Sequence, residues 1–117
     1  MGDTGKSIAA VFTGEAKGDG GANTLHAYSV SATVYGEGGN DKLYGGGLGS
    51  TKLYGGSGND KLYGGSASET KLYGGTGNDY LTGLGGNDVL YGDGGNDTLF
   101  GSSDVDSLYG GDGDDEI

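Results

Sequence analysis

The stretch GGSGNDKLY, Gly55–Tyr63, consists of six turn-forming residues followed by three with the polar, apolar, aromatic alternation of a very short strand. Near copies flank it, GEGGNDKLY at Gly36–Tyr44 and GGTGNDYLT at Gly74–Thr82, with the ten-residue versions GGGLGSTKLY from Gly45 and GGSASETKLY from Gly64 in between. Extended outward, the frame takes in GDGGANTLH and AYSVSATVY from Gly18. It continues through GLGGNDVLY, GDGGNDTLF and GSSDVDSLY to GGDGDDEI, which ends at Ile117, giving eleven units in all. One large apolar residue recurs in each: Leu25, Val34, Leu43, Leu53, Leu62, Leu72, Leu81, Leu90, Leu99, Leu108 and Ile117, spaced by nine apart from two steps of ten. A fixed period of one short strand plus one Gly-rich turn describes a solenoid, each strand stacking on an earlier copy of itself. By the two-residue alternation of strands, the apolar residue points inward and its neighbours point outward.

Composition narrows the functions open to such a chain. Its 117 residues include 31 Gly, no Pro and no Cys, and 17 acidic residues against 6 Lys give a formal charge of −11. A hydrophobic fraction of 32% excludes a thick core. Without cysteine there is neither a disulfide framework nor a thiolate zinc site, and a single His disfavours hydrolase triads. The acidic excess opposes nucleic acid and anionic membrane, and no apolar run approaches the ~20 residues of a membrane span. Residues 1–17 lack the basic start and apolar stretch of a signal peptide. Gly-rich and acidic composition alone would mean disorder, and the repeat is what argues against it.

The better units resemble the GGxGxDxUx nonapeptide of the RTX, or hemolysin-type, calcium-binding family. The resemblance covers Gly18–Ile117. It implies an all-β fold, a right-handed parallel β-roll in which two repeats make one turn of a two-sheet solenoid. Strands then alternate between two facing sheets, stacked at roughly 4.8 Å. It also implies Ca²⁺ as the cofactor, a structural rather than catalytic task, and export of a bacterial parent protein by a type I route. Folding would then follow outside the cell, where calcium is plentiful.

The residues themselves agree with a calcium site. Glycine lets turn carbonyls converge, and Ca²⁺ takes six to eight oxygens from carboxylates and backbone carbonyls. Alternation places odd-numbered units on one edge of the roll, where the sixth turn position is Asn23, Asp41, Asp60, Asp79, Asp97 and Asp115. Five stacked gaps follow, so about five ions are expected, mostly along this edge. Their other donors are turn carbonyls of Gly36, Gly38, Gly55, Gly56, Ser57, Gly58, Gly74, Gly75, Thr76, Gly77, Gly92, Gly94, Gly95, Gly110, Gly111 and Gly113. The second edge is poor for metal at first, with Val30, Leu48 and Ala67 expected to fill the ion's volume. Asp88 and Asp106 close it with one further expected site, beside an atypical Asp104.

The ninth position is aromatic in most units. Tyr35, Tyr54, Tyr73, Tyr91 and Tyr109 are expected as a stacked ladder on one sheet, with His26, Tyr44, Tyr63, Thr82 and Phe100 on the other. Such ladders stabilise sheets without any ligand, and Lys42, Lys52, Lys61 and Lys71 beside them keep the surface soluble. Weaker signals carry little: Asp3–Ser7 echoes a P-loop without its preceding Gly, and Asn96-Asp97-Thr98 is a glycosylation triplet inside a turn.

Residues 1–17, with Ile8, Val11 and Phe12, read as an N-terminal cap over the first strand edge. Ile117 reads as the inward residue of an uncapped last strand. The chain therefore reads as a fragment of a larger secreted protein, docking there on an adjoining domain or a second copy. The function expected is a calcium-binding structural module that folds on binding Ca²⁺. One alternative is a binding module for an anionic, alginate-like polysaccharide. Another is a calcium-dependent ice-binding adhesin repeat, weakened because Thr76 stands alone where such proteins carry a Thr ladder. No grouping of nucleophile, base and orienting residue suggests an enzyme.

Overall fold

The computed structural model describes residues 6–10, 13–27, 31–46, 49–66 and 69–117, with backbone alone for 6–14 and Ser31. The described residues form strands and turns without a helix, so none is long and apolar enough to cross a membrane. One six-stranded sheet contains β1 (Lys6–Ala10), β3 (Asn23–Ala27), β5 (Lys42–Tyr44), β7 (Lys61–Tyr63), β9 (Tyr80–Thr82) and β11 (Thr98–Phe100), in that order. The other runs β2 (Thr13–Lys17), β4 (Ser31–Tyr35), β6 (Ser50–Gly56), β8 (Glu69–Gly75), β10 (Asn87–Tyr91) and β12 (Ser107–Tyr109). Every pairing is parallel, and consecutive strands alternate between sheets, as the nine-residue period requires for a β-roll.

Register aligns the repeat with itself. Leu25, Leu43, Leu62, Leu81 and Leu99 pair in sequence on one sheet, and Val34, Leu53, Leu72, Leu90 and Leu108 on the other. All of these are 0% exposed except Leu108, which packs partly buried against the column. The core is thus one layer of aliphatic side chains, in a molecule 15 Å across its thinnest direction. Burying each such side chain is worth about 1.5–3 kcal/mol, and a single layer leaves little to oppose unfavourable charge at the edges.

Two features depart from the sequence reading. Within residues 1–17, β1 and β2 add a strand to each sheet, with Ile8 in register with Leu25 and Ala16 in register with Val34; Val11 and Phe12 lie outside the described residues. Ile117, expected to point inward, is 64% exposed. The eleventh unit makes only an isolated bridge, Thr98 to Glu116, so Ile117 has no flanking strand to cover it.

The outer faces carry the aromatic columns. Tyr35, Tyr54, Tyr73, Tyr91 and Tyr109 stack with centroids 4.6 to 5.1 Å apart and planes within 11°. On the opposite face His26, Tyr44 and Tyr63 stack likewise, but Thr82 interrupts. There Tyr80, from the seventh position of its unit, bridges Tyr63 and Phe100 through tilted contacts of 6.1 and 5.7 Å.

Candidate metal centre

From Gly36 onward, each metal-edge turn is shaped by two left-handed residues, at its second and fourth positions. The fourth is always Gly: Gly39, Gly58, Gly77, Gly95 and Gly113 have φ between 88° and 104°. The second is Gly in some turns, but Glu37 (77°) and Asp93 (72°) accept the same conformation at a modest cost. Alternating handedness curls the backbone, so the turn encloses a small volume lined by its own polar atoms.

Into that volume the sixth residue sends its carboxylate. Asp41 Oδ1 accepts the Asn23 N–H at 2.7 Å, Asp60 Oδ1 that of Asp41 at 2.8 Å, and Asp79 Oδ1 that of Asp60 at 2.7 Å. Asp97 Oδ1 accepts the Asp79 N–H at 2.7 Å, and Asp115 Oδ1 that of Asp97 at 2.8 Å. One oxygen per carboxylate is therefore spent on the preceding turn. The other, Oδ2 of Asp41, Asp60, Asp79 and Asp97, is buried and has no hydrogen-bond partner. Buried acceptors without partners are rare because each loses its hydration for nothing.

The first residue of each turn completes the picture. A Cβ placed on Gly36 would lie 2.7 Å from both Asp41 Oδ2 and the Gly55 carbonyl oxygen of the next turn. At Gly55 the same point is 2.7 Å from Asp60 Oδ2 and 2.5 Å from the Gly74 carbonyl; at Gly74 it is 2.6 Å from Asp79 Oδ2 and 2.8 Å from the Gly92 carbonyl. Gly92 repeats this against Asp97 Oδ2 (2.5 Å) and the Gly110 carbonyl (2.7 Å). Thus a partnerless carboxylate oxygen and a carbonyl from the next turn converge where only glycine leaves room. Hard oxygens around a point fit Ca²⁺. No group of three or more His, Asp or Glu side chains that could hold a metal occurs among the described residues, so backbone carbonyls must supply much of any cage.

Electrostatics agree. Burial pushes the Asp79 carboxyl up to about 8 and that of Asp60 to about 7, with neighbouring Asp charges adding and the accepted backbone N–H opposing. Asp41 and Asp97 are raised to about 6, again chiefly by burial. Without a cation the column holds its charge reluctantly.

The other expected donors are placed unevenly. The Gly56 and Gly75 carbonyls already accept the Thr76 and Gly94 N–H groups at 3.0 and 3.1 Å, leaving one lone pair each for another donor. Gly38, Ser57, Gly58, Gly77, Gly95, Gly111 and Gly113 lie in the same turns. Asn23 differs from the Asp residues below it: its Oδ1 accepts the Asp19 N–H at 2.7 Å, so it presents no partnerless oxygen. On the second edge Asp88 repeats the motif. Its Oδ1 accepts the Thr70 N–H at 3.0 Å, its Oδ2 is buried without a partner, and its own N–H donates to Asp106 Oδ1 at 2.9 Å. Burial, then the charge of Asp106, raises its carboxyl to about 6. Earlier on this edge the position is filled by Ala32, Thr51 and Thr70, all buried. The expected fillers Val30, Leu48 and Ala67 lie outside the described residues.

A second ladder went unnoticed in the sequence. Asn40 Oδ1 accepts the Asn59 N–H, Asn59 Oδ1 that of Asn78, Asn78 Oδ1 that of Asn96, and Asn96 Oδ1 that of Asp114, each at 2.8 Å. These bonds run forward along the roll while the Asp bonds run backward, so each turn is tied in both directions. The signal was the recurrence of Asn immediately before Asp.

Compared with known proteins, the chain matches the family model of the RTX calcium-binding nonapeptide repeat in four copies, over residues 17–48, 46–70, 71–99 and 91–117. No curated protein and no solved structure matches it.

Proposed function

This chain belongs to the RTX calcium-binding nonapeptide repeat family, a structural repeat, and is a calcium-binding module; from that premise we propose that its roll forms as the ions bind. The observation that carries this is the row of buried, partnerless Oδ2 atoms on Asp41, Asp60, Asp79 and Asp97, each beside a carbonyl of the next turn. Those four gaps, together with the Asp88–Asp106 gap of the second edge, make about five sites. The five ions would bring ten positive charges to a chain of formal charge −11. Because each ion joins two turns and each interior Asp serves two gaps, uptake is cooperative along the column. Binding free energy then appears as folding free energy.

The family resemblance supports a secreted bacterial parent exported by a type I route, the module ordering only where calcium is plentiful. Circular dichroism during a calcium titration tests the coupling: strand signal and compaction appear with calcium and vanish with excess chelator. A fully formed roll in chelator whose spectrum calcium leaves unchanged would sink it.

A second reading, an anionic polysaccharide ligand, has one observation in its favour. Lys42 and Lys61 on one face, and Lys52 and Lys71 on the other, pair directly in register beside the aromatic columns. Like charges side by side cost stability unless an anion lies across them. Calorimetry with alginate on the calcium-loaded chain decides it: binding that Lys52→Ala and Lys71→Ala abolish supports the reading, and no heat at all refutes it.

A further inference from the structure

Oxidation has few places to go in this chain. It has no Cys, no Trp and a single Met, so its nine tyrosines are the most readily oxidised side chains it carries in number. Five of them form one column on the outer face of a single sheet. Tyr35–Tyr54, Tyr54–Tyr73, Tyr73–Tyr91 and Tyr91–Tyr109 stack with centroids 5.0, 4.6, 5.0 and 5.1 Å apart and planes within 11° of parallel. Their strands are parallel and pair Tyr with Tyr in register, so each ring is close to a translated copy of the one before it and like carbons lie above one another. Tyr109, 54% exposed, opens the end of the column to solvent. The opposite face offers less: Tyr44–Tyr63 is parallel at 4.9 Å, but Tyr63–Tyr80 is tilted by 55° and Phe100 carries no phenol.

We propose that this column is a site of oxidative cross-linking, at which neighbouring rungs couple as dityrosine and clamp successive turns of the roll. It rests on the calcium reading above only for the state in which the column is assembled. The step needs an external one-electron oxidant, which takes one electron from each of two adjacent rings while each phenol gives its proton to water. The two phenoxyl radicals then join through a carbon–carbon bond between ortho positions, and the hydrogen on each of those carbons shifts to its phenolic oxygen. Two tyrosines thus lose two electrons and two protons in all. Stacking keeps the partner ring beside the radical, an intramolecular encounter that dilution does not slow. A Tyr54–Tyr73 bond ties β6 to β8 and constrains the unfolded chain as a disulfide does. In a chain without cysteine, oxidation supplies that clamp by this route instead.

Oxidation of the dilute, calcium-loaded full chain by photogenerated tris(bipyridine)ruthenium(III), followed by peptide mapping in a mass spectrometer, tests this. The expected product is a monomer with dityrosine fluorescence, two hydrogens lighter per bond, its links joining neighbours of the column. Their yield is expected to be at least ~10-fold above that of the same chain unfolded in urea and chelator. The double variant Tyr54→Phe, Tyr91→Phe keeps five stacked rings but separates every pair of phenols in the column. It is expected to lose the column's links and to keep the Tyr44–Tyr63 link as an internal standard. The oxidised parent is also expected to hold more strand signal in chelator than the oxidised variant. Links between copies only, or a yield no higher than in the unfolded chain, from protein whose circular dichroism shows the roll, would refute the clamp and leave the calcium reading standing. Column links undiminished in the double variant would refute it too. Equal column links in calcium and in chelator would support the clamp and count against the calcium reading.

Discussion

Asp60 and Asp79 are bound to each other through the backbone of one and the side chain of the other: the Asp60 N–H donates to Asp79 Oδ1 at 2.7 Å. Asp79 Oδ2 is left buried without a partner. A single carboxylate therefore joins two turns by a hydrogen bond and offers its remaining oxygen to the gap beyond. The separation of these two tasks makes the column open to dissection.

Asp79→Asn and Asp79→Ala divide them. Asparagine keeps a side-chain oxygen for the Asp60 N–H but loses the charge, so calcium-free stability is held or improved while the calcium midpoint rises. We expect a rise of about tenfold or more, the scale on which even supporting groups of a metal site act. Alanine also strands the Asp60 N–H in a buried turn, costing a further ~1–3 kcal/mol. Calcium titrations followed by circular dichroism, combined with urea unfolding of the loaded protein, separate the two effects. Equal behaviour of both variants would mean that the inter-turn hydrogen bond contributes nothing.

Acid should replace calcium in part. Burial raises the folded-state carboxyls of Asp41, Asp88 and Asp97 to about 6, Asp60 to about 7 and Asp79 to about 8, from an ordinary 3.8. A carboxyl that holds its proton more tightly when folded favours the fold where it is protonated, and that advantage is lost as pH rises from the ordinary value through the raised ones. In chelator the strand signal is therefore expected to grow as pH falls from 8 toward 4. With calcium present the dependence reverses, since protons compete for the same oxygens. A chelated chain whose spectrum is flat between pH 8 and 4 would contradict the assignment of burial as the cause.

The tyrosine ladder stabilises by stacking, and its interior rungs count most. Tyr73 stacks on Tyr54 at 4.6 Å and on Tyr91 at 5.0 Å, whereas Tyr109 has Tyr91 alone, at 5.1 Å, and is 54% exposed. With each stacked pair worth about 0.5–1.5 kcal/mol, Tyr73→Ala should cost roughly twice the stacking loss of Tyr109→Ala. Urea unfolding in saturating calcium measures both. An equal cost would assign the effect to strand propensity instead of ring contact.

What could be read in the sequence was whatever the period repeats. The leucine column, the aspartate column and the five-tyrosine ladder each recur at one position of the unit, so spacing alone fixed their neighbours. Strands β1 and β2 were hidden because Ile8 precedes Leu25 by seventeen residues instead of eighteen, and because the small Ala16 takes the place of a leucine. The self-closing of Asn23 on Asp19 depends on side-chain direction, which a repeat pattern does not encode. Asn40, Asn59, Asn78 and Asn96 did recur, but their bonds run along the stack between units, a relation invisible within any single unit.

Gly92 and Gly94 belong to one turn and should respond oppositely to the same substitution. A methyl group on Gly92 would sit 2.5 Å from Asp97 Oδ2 and 2.7 Å from the Gly110 carbonyl oxygen, the point where carboxylate and carbonyl converge. On Gly94 it would meet nothing within 4 Å. Neither residue has a left-handed φ, so alanine brings no backbone strain at either. Gly94→Ala is then expected to change stability by less than about 0.5 kcal/mol, or to raise it slightly by restricting the unfolded chain. Gly92→Ala must displace the carboxylate or the next turn, and its cost should be largest in calcium, where the blocked volume is needed. Calorimetric titration is expected to give one ion fewer for Gly92→Ala and an unchanged count for Gly94→Ala. An unchanged count for Gly92→Ala would place the ion elsewhere in the turn, away from Asp97 Oδ2 and the Gly110 carbonyl oxygen.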